Sequence, residues 1–320
     1  KIGQMLIMGF DGKSIEPDSD ITKQIQHNNI GGVILFDYNQ QSKTFNKNIE
    51  SPGQVKQLNH QLHSAALQGN KKNNRPKLPL LITVDYEGGM VNRLSPNYGF
   101  PYIPSAKKIG QGSLPEAVNY AQLMAETLNQ AGFNMDYFPV SDTEVNPNNP
   151  IIAKKERSFS NEPEKITSLS TIYTNQFLDH HIQCSYKHFP GHGSSLLDSH
   201  LGFVDITDTW TQEELIPFQE ALAQQKHCGV VMVGHLVNRQ LDKKGLPATL
   251  SYSMITELLR QKMQFDGVVM TDDMQMKAIA DHYGLDTALT LSINAGVDML
   301  IFGNALAEKY QDPKEIIDII

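Results

Sequence analysis

The chain has 320 residues, 40% of them hydrophobic and 19% charged, with a formal net charge of −8 at pH 7. That acidic balance argues against nucleic acid or an anionic membrane as the main partner, and no run of about 18 apolar residues offers a membrane span. The two cysteines, Cys184 and Cys228, are too few for a disulfide framework. Buried free thiols are the expectation, with one bridge between neighbouring strands as the alternative in an exported protein.

Short apolar runs rich in Val, Ile, Leu and Met recur along the chain at residues 5–10, 32–36, 80–85, 135–140, 184–189, 230–235, 268–271 and 298–302. Their lack of polar alternation fits parallel strands covered on both faces. Amphipathic stretches lie between them. A helix is expected over residues 52–67, inside a connection (37–77) longer than an ordinary loop. Its basic residues Lys71, Lys72, Arg75 and Lys77 lie among Asn and Pro and read as a solvated loop.

Ser113, Pro115 and Glu116 have the spacing of an N-cap, a first-turn proline and a capping-box acid, opening a helix through residue 130. Similar starts at Asn161 and Thr211 open helices towards residues 181 and 225. Stretches 251–264 and 281–295 complete the set, the last stopped by Gly296. Eight β-α units without a composition break predict a single (β/α)8 TIM-type barrel with a decorated connection after the second strand, one domain over residues 1–320. A doubly wound open sheet shares the local pattern and is the alternative. The chain begins at Lys1 rather than Met and stops within an amphipathic stretch. An upstream segment removed or lacking, and a C-terminal helix cut short, are therefore expected.

In a barrel, reactive groups belong at the carboxyl ends of strands, and polar residues collect there. Strand three runs into Asp85-Tyr86-Glu87-Gly88-Gly89, with Arg93 soon after; strand five ends in Lys187-His188, strand six in Gly234-His235, strand seven in Thr271-Asp272-Asp273. Arg157 lies in the long loop after strand four. Residues 187–200, KHFPGHGSSLLDSH, add His192, Asp198 and His200 on a Pro-Gly framework. Two chemistries compete for these side chains. A metal site would use His188, His192, His200, His235 and Asp272, but no established ligand spacing occurs and Pro190 and Gly191 keep His188 and His192 off a helix. Acid–base chemistry uses the same residues better. Asp198 could accept the His200 Nδ1–H and hold its tautomer, while Asp272, after a buried strand, could act as nucleophile.

KHFPGHGSSLLDSH closely resembles the signature of glycoside hydrolase family 3 β-N-acetylglucosaminidases, the NagZ-like branch, which pairs KHFPGHG with DSH after a short spacer. VDYEGGMVNRL is similar to that family's VDxEGGxVxRL, ERSF to its arginine loop and VVMTDDMQM to its nucleophile segment, in the same order along nearly the whole chain. The resemblance implies retaining, two-step release of terminal β-linked GlcNAc, without a cofactor or metal. Asp272 would be the nucleophile and His200 the acid/base, with Asp198 as its partner. Asp85, Arg93, Arg157, Lys187 and His188 would bind the sugar. On a loop, His200 could stand away from Asp272 when no substrate is bound. The implied partner is a GlcNAc-containing glycan or muropeptide, acted on by a monomer that is cytoplasmic or exported to the periplasm. A family 3 β-glucosidase is the nearest rival. Two departures stand out: Met90 occupies a commonly basic position, and the 37–77 stretch is long for a compact cytoplasmic member.

Overall fold

The computed structural model describes residues 1–40, 42–305 and 310–320. Its centre is a closed barrel of parallel strands: β1 (Leu6–Gly9), β2 (Gly32–Ile34), β3 (Leu81–Val84), β4 (Met135–Asp136), β5 (Gln183–Phe189), β6 (Val230–Val233), β7 (Val268–Asp273) and β8 (Met299–Phe302). Closure is explicit in the register. Ile7 of β1 lies opposite Gly32 of β2 on one side and Ile301 of β8 on the other, so the sheet has no edge and is not an open doubly wound one.

The continuous hydrophobicity of the strands has a two-sided cause. Ile7, Ile34, Met135, Tyr137, Val230, Met232, Met270 and Ile301 pack inside the barrel. Their neighbours in sequence, such as Leu6 and Met8, Val33 and Leu35, or Val231 and Val233, face the surrounding helices in a second, larger core. Side chains alternate along each strand, but both destinations are apolar. The fourth strand is shorter than expected. Pro139 has no N–H to continue its ladder, and pairing resumes as a bridge from Val140 to Lys187, with the Ser141 N–H donating to Lys187 O at 2.7 Å.

Helices cover the outside where the sequence placed them. Leu114–Ala131 has the reciprocal Ser113–Glu116 capping box and ends at Gly132 in the left-handed region, φ 83°. Leu285–Ala295 starts later than expected because Gly284 takes the extended N-cap position. The long connection after β2 holds a small hairpin, Tyr38–Asn39 with Thr44–Phe45, and the helix Pro52–Lys72. Of its basic residues, Arg75 is not merely solvated: its guanidinium donates to Gln26 O, His27 O and Asn29 Oδ1, closing the end of the preceding helical segment.

The expectation of free thiols is corrected. Cys184 on β5 and Cys228 just before β6 form a disulfide. These strands are barrel neighbours, and their register brings the two Cα atoms to 5.0 Å, inside bridging distance. Both sulfurs lie in the outer core near the strand starts, away from the polar loops. Cys228→Ser should lower the unfolding free energy by about 2–5 kcal/mol in urea titrations, and dithiothreitol should lower the wild type similarly while leaving the variant unchanged.

Candidate active site

Asp85, Arg93, Arg157, Lys187, His188, Asp198, His200 and Asp272, separated widely in sequence, all line one cavity of about 490 Å³. Barrel closure brings them there. Asp85 directly follows β3, Lys187 and His188 close β5, and Asp272 sits near the end of β7. Arg157 and Arg93 arrive from the loops after β4 and β3, while Asp198 and His200 arrive from the loop after β5.

The floor is a chain of buried ions. Lys187, 1% exposed, places Nζ 2.8 Å from Asp85 Oδ1 and 2.7 Å from Glu87 Oε1. Glu87 also accepts a two-pronged contact from Arg157, Nε to Oε2 and Nη2 to Oε1, both at 2.8 Å. Burial alone would raise the Glu87 pKa, but the two cations outweigh it and hold the carboxyl well below the usual carboxylate range. Arg93 pairs at 3.4 Å with Asp37 and lies over the Phe36 ring.

A second carboxylate organises the neighbouring loop. Asp142 Oδ2 accepts the His188 Nδ1–H at 2.6 Å, and Oδ1 accepts the backbone N–H groups of His188 and His192 at 3.1 and 2.7 Å. With Nδ1 protonated, His188 Nε2 is left as an acceptor facing Arg157 Nη2 at 3.3 Å. His192 is taken up within the loop by Ser195 and Ser199. Burial, with the neighbouring His188, pushes the His192 imidazole down to about 4. Gly193 has an evident reason, since a Cβ there would stand 1.5 Å from Thr143 O. Asn149 completes the hold by donating to His192 O and Gly193 O.

Further along, Asp198 Oδ1 accepts both the His200 Nδ1–H at 2.7 Å and the His200 N–H at 2.9 Å. Burial raises the Asp198 carboxyl, but these contacts bring it down to about 2. Across the cavity, burial likewise opposes ionisation of Asp272, and the imidazoles of His188, His235 and His200 bring its carboxyl down to about 2. The adjacent Asp273 is different: burial pushes it up to about 6, and its Oδ1 accepts the Gln275 and Gly303 N–H groups. His235 donates from Nε2 to Asp273 O and accepts from Thr249 at Nδ1, so it ties the end of β7 to the turn at Thr249. Among the described residues, no group of three or more His, Cys, Asp or Glu is arranged to hold a metal ion. Met90 is 69% exposed at the cavity mouth.

Residues 1–319 match the model of the glycosyl hydrolase family 3 N-terminal domain. The chain belongs to glycosyl hydrolase family 3. Among curated relatives, it is 31% identical to beta-hexosaminidase A of Pseudoalteromonas piscicida over 96% of this chain and 54% of that protein. It is 32% identical to a beta-hexosaminidase of Tolumonas auensis over 92% of this chain and 82% of that one. A solved family 3 beta-N-acetylglucosaminidase from Paenibacillus sp. str. FPU-7 superposes with a TM-score of 0.86 at 32% identity, covering 99% of this chain and 56% of that one. The chain therefore spans about half the length of two of these proteins.

Glu87 and Asp142 were not singled out in the sequence. Glu87 could have been, because it follows Asp85 by two residues and shares its side of the chain beyond β3. Asp142 carries no such mark in VSDTEV. Glu87→Gln would leave Lys187 and Arg157 facing each other with one fewer anion and should cost about 3–5 kcal/mol in urea unfolding at pH 7. The depressed Glu87 pKa fixes the sign of the pH effect: the gap to wild type is full above about pH 4.3 and narrows as pH falls further.

Proposed function

We propose that this chain is a retaining exo-β-N-acetylglucosaminidase that removes terminal β-linked GlcNAc, with peptidoglycan-derived muropeptides as the natural source. The observation that carries this reading is the meeting, in one cavity, of an ionised, half-buried Asp272 with the Asp198–His200 pair. The names of the relatives supply the sugar. The described residues form the catalytic barrel of the reaction.

In the first step Asp272 attacks the anomeric carbon, forming a C–O bond to the sugar as the glycosidic bond breaks. The protonated His200 gives its Nε2 proton to the departing oxygen. Asp198 holds the Nδ1–H throughout and stabilises the imidazolium. In the second step the neutral His200 takes a proton from water, the water oxygen bonds to the anomeric carbon, and Asp272 leaves as carboxylate. Configuration at that carbon is retained after two inversions. Histidine has a physical advantage over a second carboxylate here. A neutral base beside Asp272 avoids placing two anions together in a buried site. Asp85, Lys187, Arg157, His188 and Arg93 would grip the sugar hydroxyls and N-acetyl group, since their N–H and carboxylate groups line the cavity and are already oriented by one another.

Release of p-nitrophenol from the β-GlcNAc and β-glucose glycosides tests the reading. The β-GlcNAc substrate should be strongly preferred. Asp272→Ala should lose about 10⁴-fold or more in kcat. His200→Ala should lose about 10²–10⁴-fold in kcat/KM. Full activity in Asp272→Ala would remove the proposed nucleophile, and preference for glucoside would point instead to a β-glucosidase. Since no step uses a metal, dialysis against EDTA should leave the rate unchanged; loss of activity restored by Zn²⁺ would point to metal-dependent hydrolysis.

A further inference from the structure

The connection between β5 and β6 sends two buried side chains under the site loop, and the proposed chemistry uses neither. Trp210, 3% exposed, donates its indole N–H to Pro190 O at 3.0 Å. Glu214, in the turn Gln212–Leu215, is 0% exposed. Its Oε2 accepts the Ser194 N–H at 3.2 Å, while Oε1 is buried without a hydrogen-bond partner. Gly191, with φ +119°, passes directly over this side chain: a Cβ there would lie 2.7 Å from Glu214 Cβ and 3.1 Å from Oε2. Trp210 and Glu214 therefore hold the two ends of the 190–194 turn, and Asp198 and His200 follow on the same loop.

We propose that Glu214 is a positioning residue for the proton-transfer loop, holding the 190–194 turn as a neutral carboxyl and loosening it on ionisation. This rests on the roles assigned above to Asp198 and His200. A neutral carboxyl matches what faces it. Its carbonyl oxygen accepts the Ser194 N–H, and protonation of the buried, unpartnered Oε1 leaves no charge on an atom that accepts no hydrogen bond. An ionised carboxyl places there a buried negative charge that meets only polar groups and the Asp142 carboxylate.

The charged neighbour is the Asp142 carboxylate, from the loop after β4; Ser194 from the turn and the Thr211 N–H from Glu214's own element are polar. Of the nearby imidazoles, His188 contacts Asp142, while His192 contacts the Ser195 and Ser199 hydroxyls. Burial first, and then the Asp142 charge, push the Glu214 carboxyl up to about 7 against the opposing Ser194 and Thr211 groups. For a raised carboxyl pKa the sign is fixed. The hold is complete below the unfolded value of about 4.3 and is lost as pH rises through the folded one.

Trp210 is the only tryptophan in the chain, so its emission reports the turn without substrate. In wild type, the emission should shift in one transition centred near pH 7, with kcat falling about tenfold across it and KM little changed. Glu214→Gln, which keeps a neutral group of the same shape, should abolish the emission shift and remove the accompanying tenfold fall in kcat. A flat wild-type emission from about pH 5.5 to 8.5 overturns the proposal whether or not the variant folds. So does a transition that persists in Glu214→Gln. A wild type that shows the Glu214-dependent shift but releases no GlcNAc would instead overturn the functional reading and leave Glu214's hold on the turn intact.

Discussion

The site is built around one carboxylate with two buried cations. Glu87 meets Lys187 at 2.7 Å and Arg157 at 2.8 Å, and all three are nearly inaccessible to water. Each charge alone would be too costly to bury; each is tolerable because the others are in contact. The array joins the segment after β3, the loop after β4 and the end of β5, three places that the chain visits far apart in sequence. Asp85 adds a second anion, so two carboxylates face two cations and the floor stays close to neutral. The N–H groups of Lys187 and Arg157 then act as directed donors rather than as a diffuse positive field.

Above that floor the loop after β5 has two unlike parts. Its first part is held from every side: Asp142 at His192, Asn149 at His192 O and Gly193 O, Trp210 at Pro190 and Glu214 at Ser194. Beyond Ser195 the chain turns outward, and Leu196, Leu197 and Leu201 are 65%, 58% and 75% exposed. The Asp198–His200 pair lies in this second part. A firmly anchored base suits the proposed role of that pair, which would serve a leaving oxygen in one step and a water in the next.

Much of this architecture was legible in the sequence, because periodicity and strand ends carry local information. The eight apolar runs became the barrel strands, and the capping box at Ser113 formed as its spacing required. All eight singled-out residues reached one cavity. What escaped was information held by pairs. Asp142 matters because of where His188 and His192 fall, and nothing within VSDTEV states that. Glu214 looks in sequence like an ordinary first-turn acid. The cysteine pairing depended on register between adjacent strands, which composition does not contain. Pro139 also cut the fourth strand short by removing one N–H, a detail that a count of apolar residues passes over.

Ile34, Tyr137, Met232 and Ile301 belong to the barrel's inner packing and also line the cavity. The apolar part of the pocket therefore has no lining of its own; it is shared with the inner filling of the barrel. Depth and stability are consequently one variable. Trimming Met232 would deepen the pocket by hollowing the centre on which strand closure rests, and enlarging it would shallow the pocket by wedging strands apart. Variation in what this scaffold accepts is thus steered upward, to the loops and the rim where Met90 and Leu201 stand, while the bottom of the pocket stays fixed by the mechanics of the barrel.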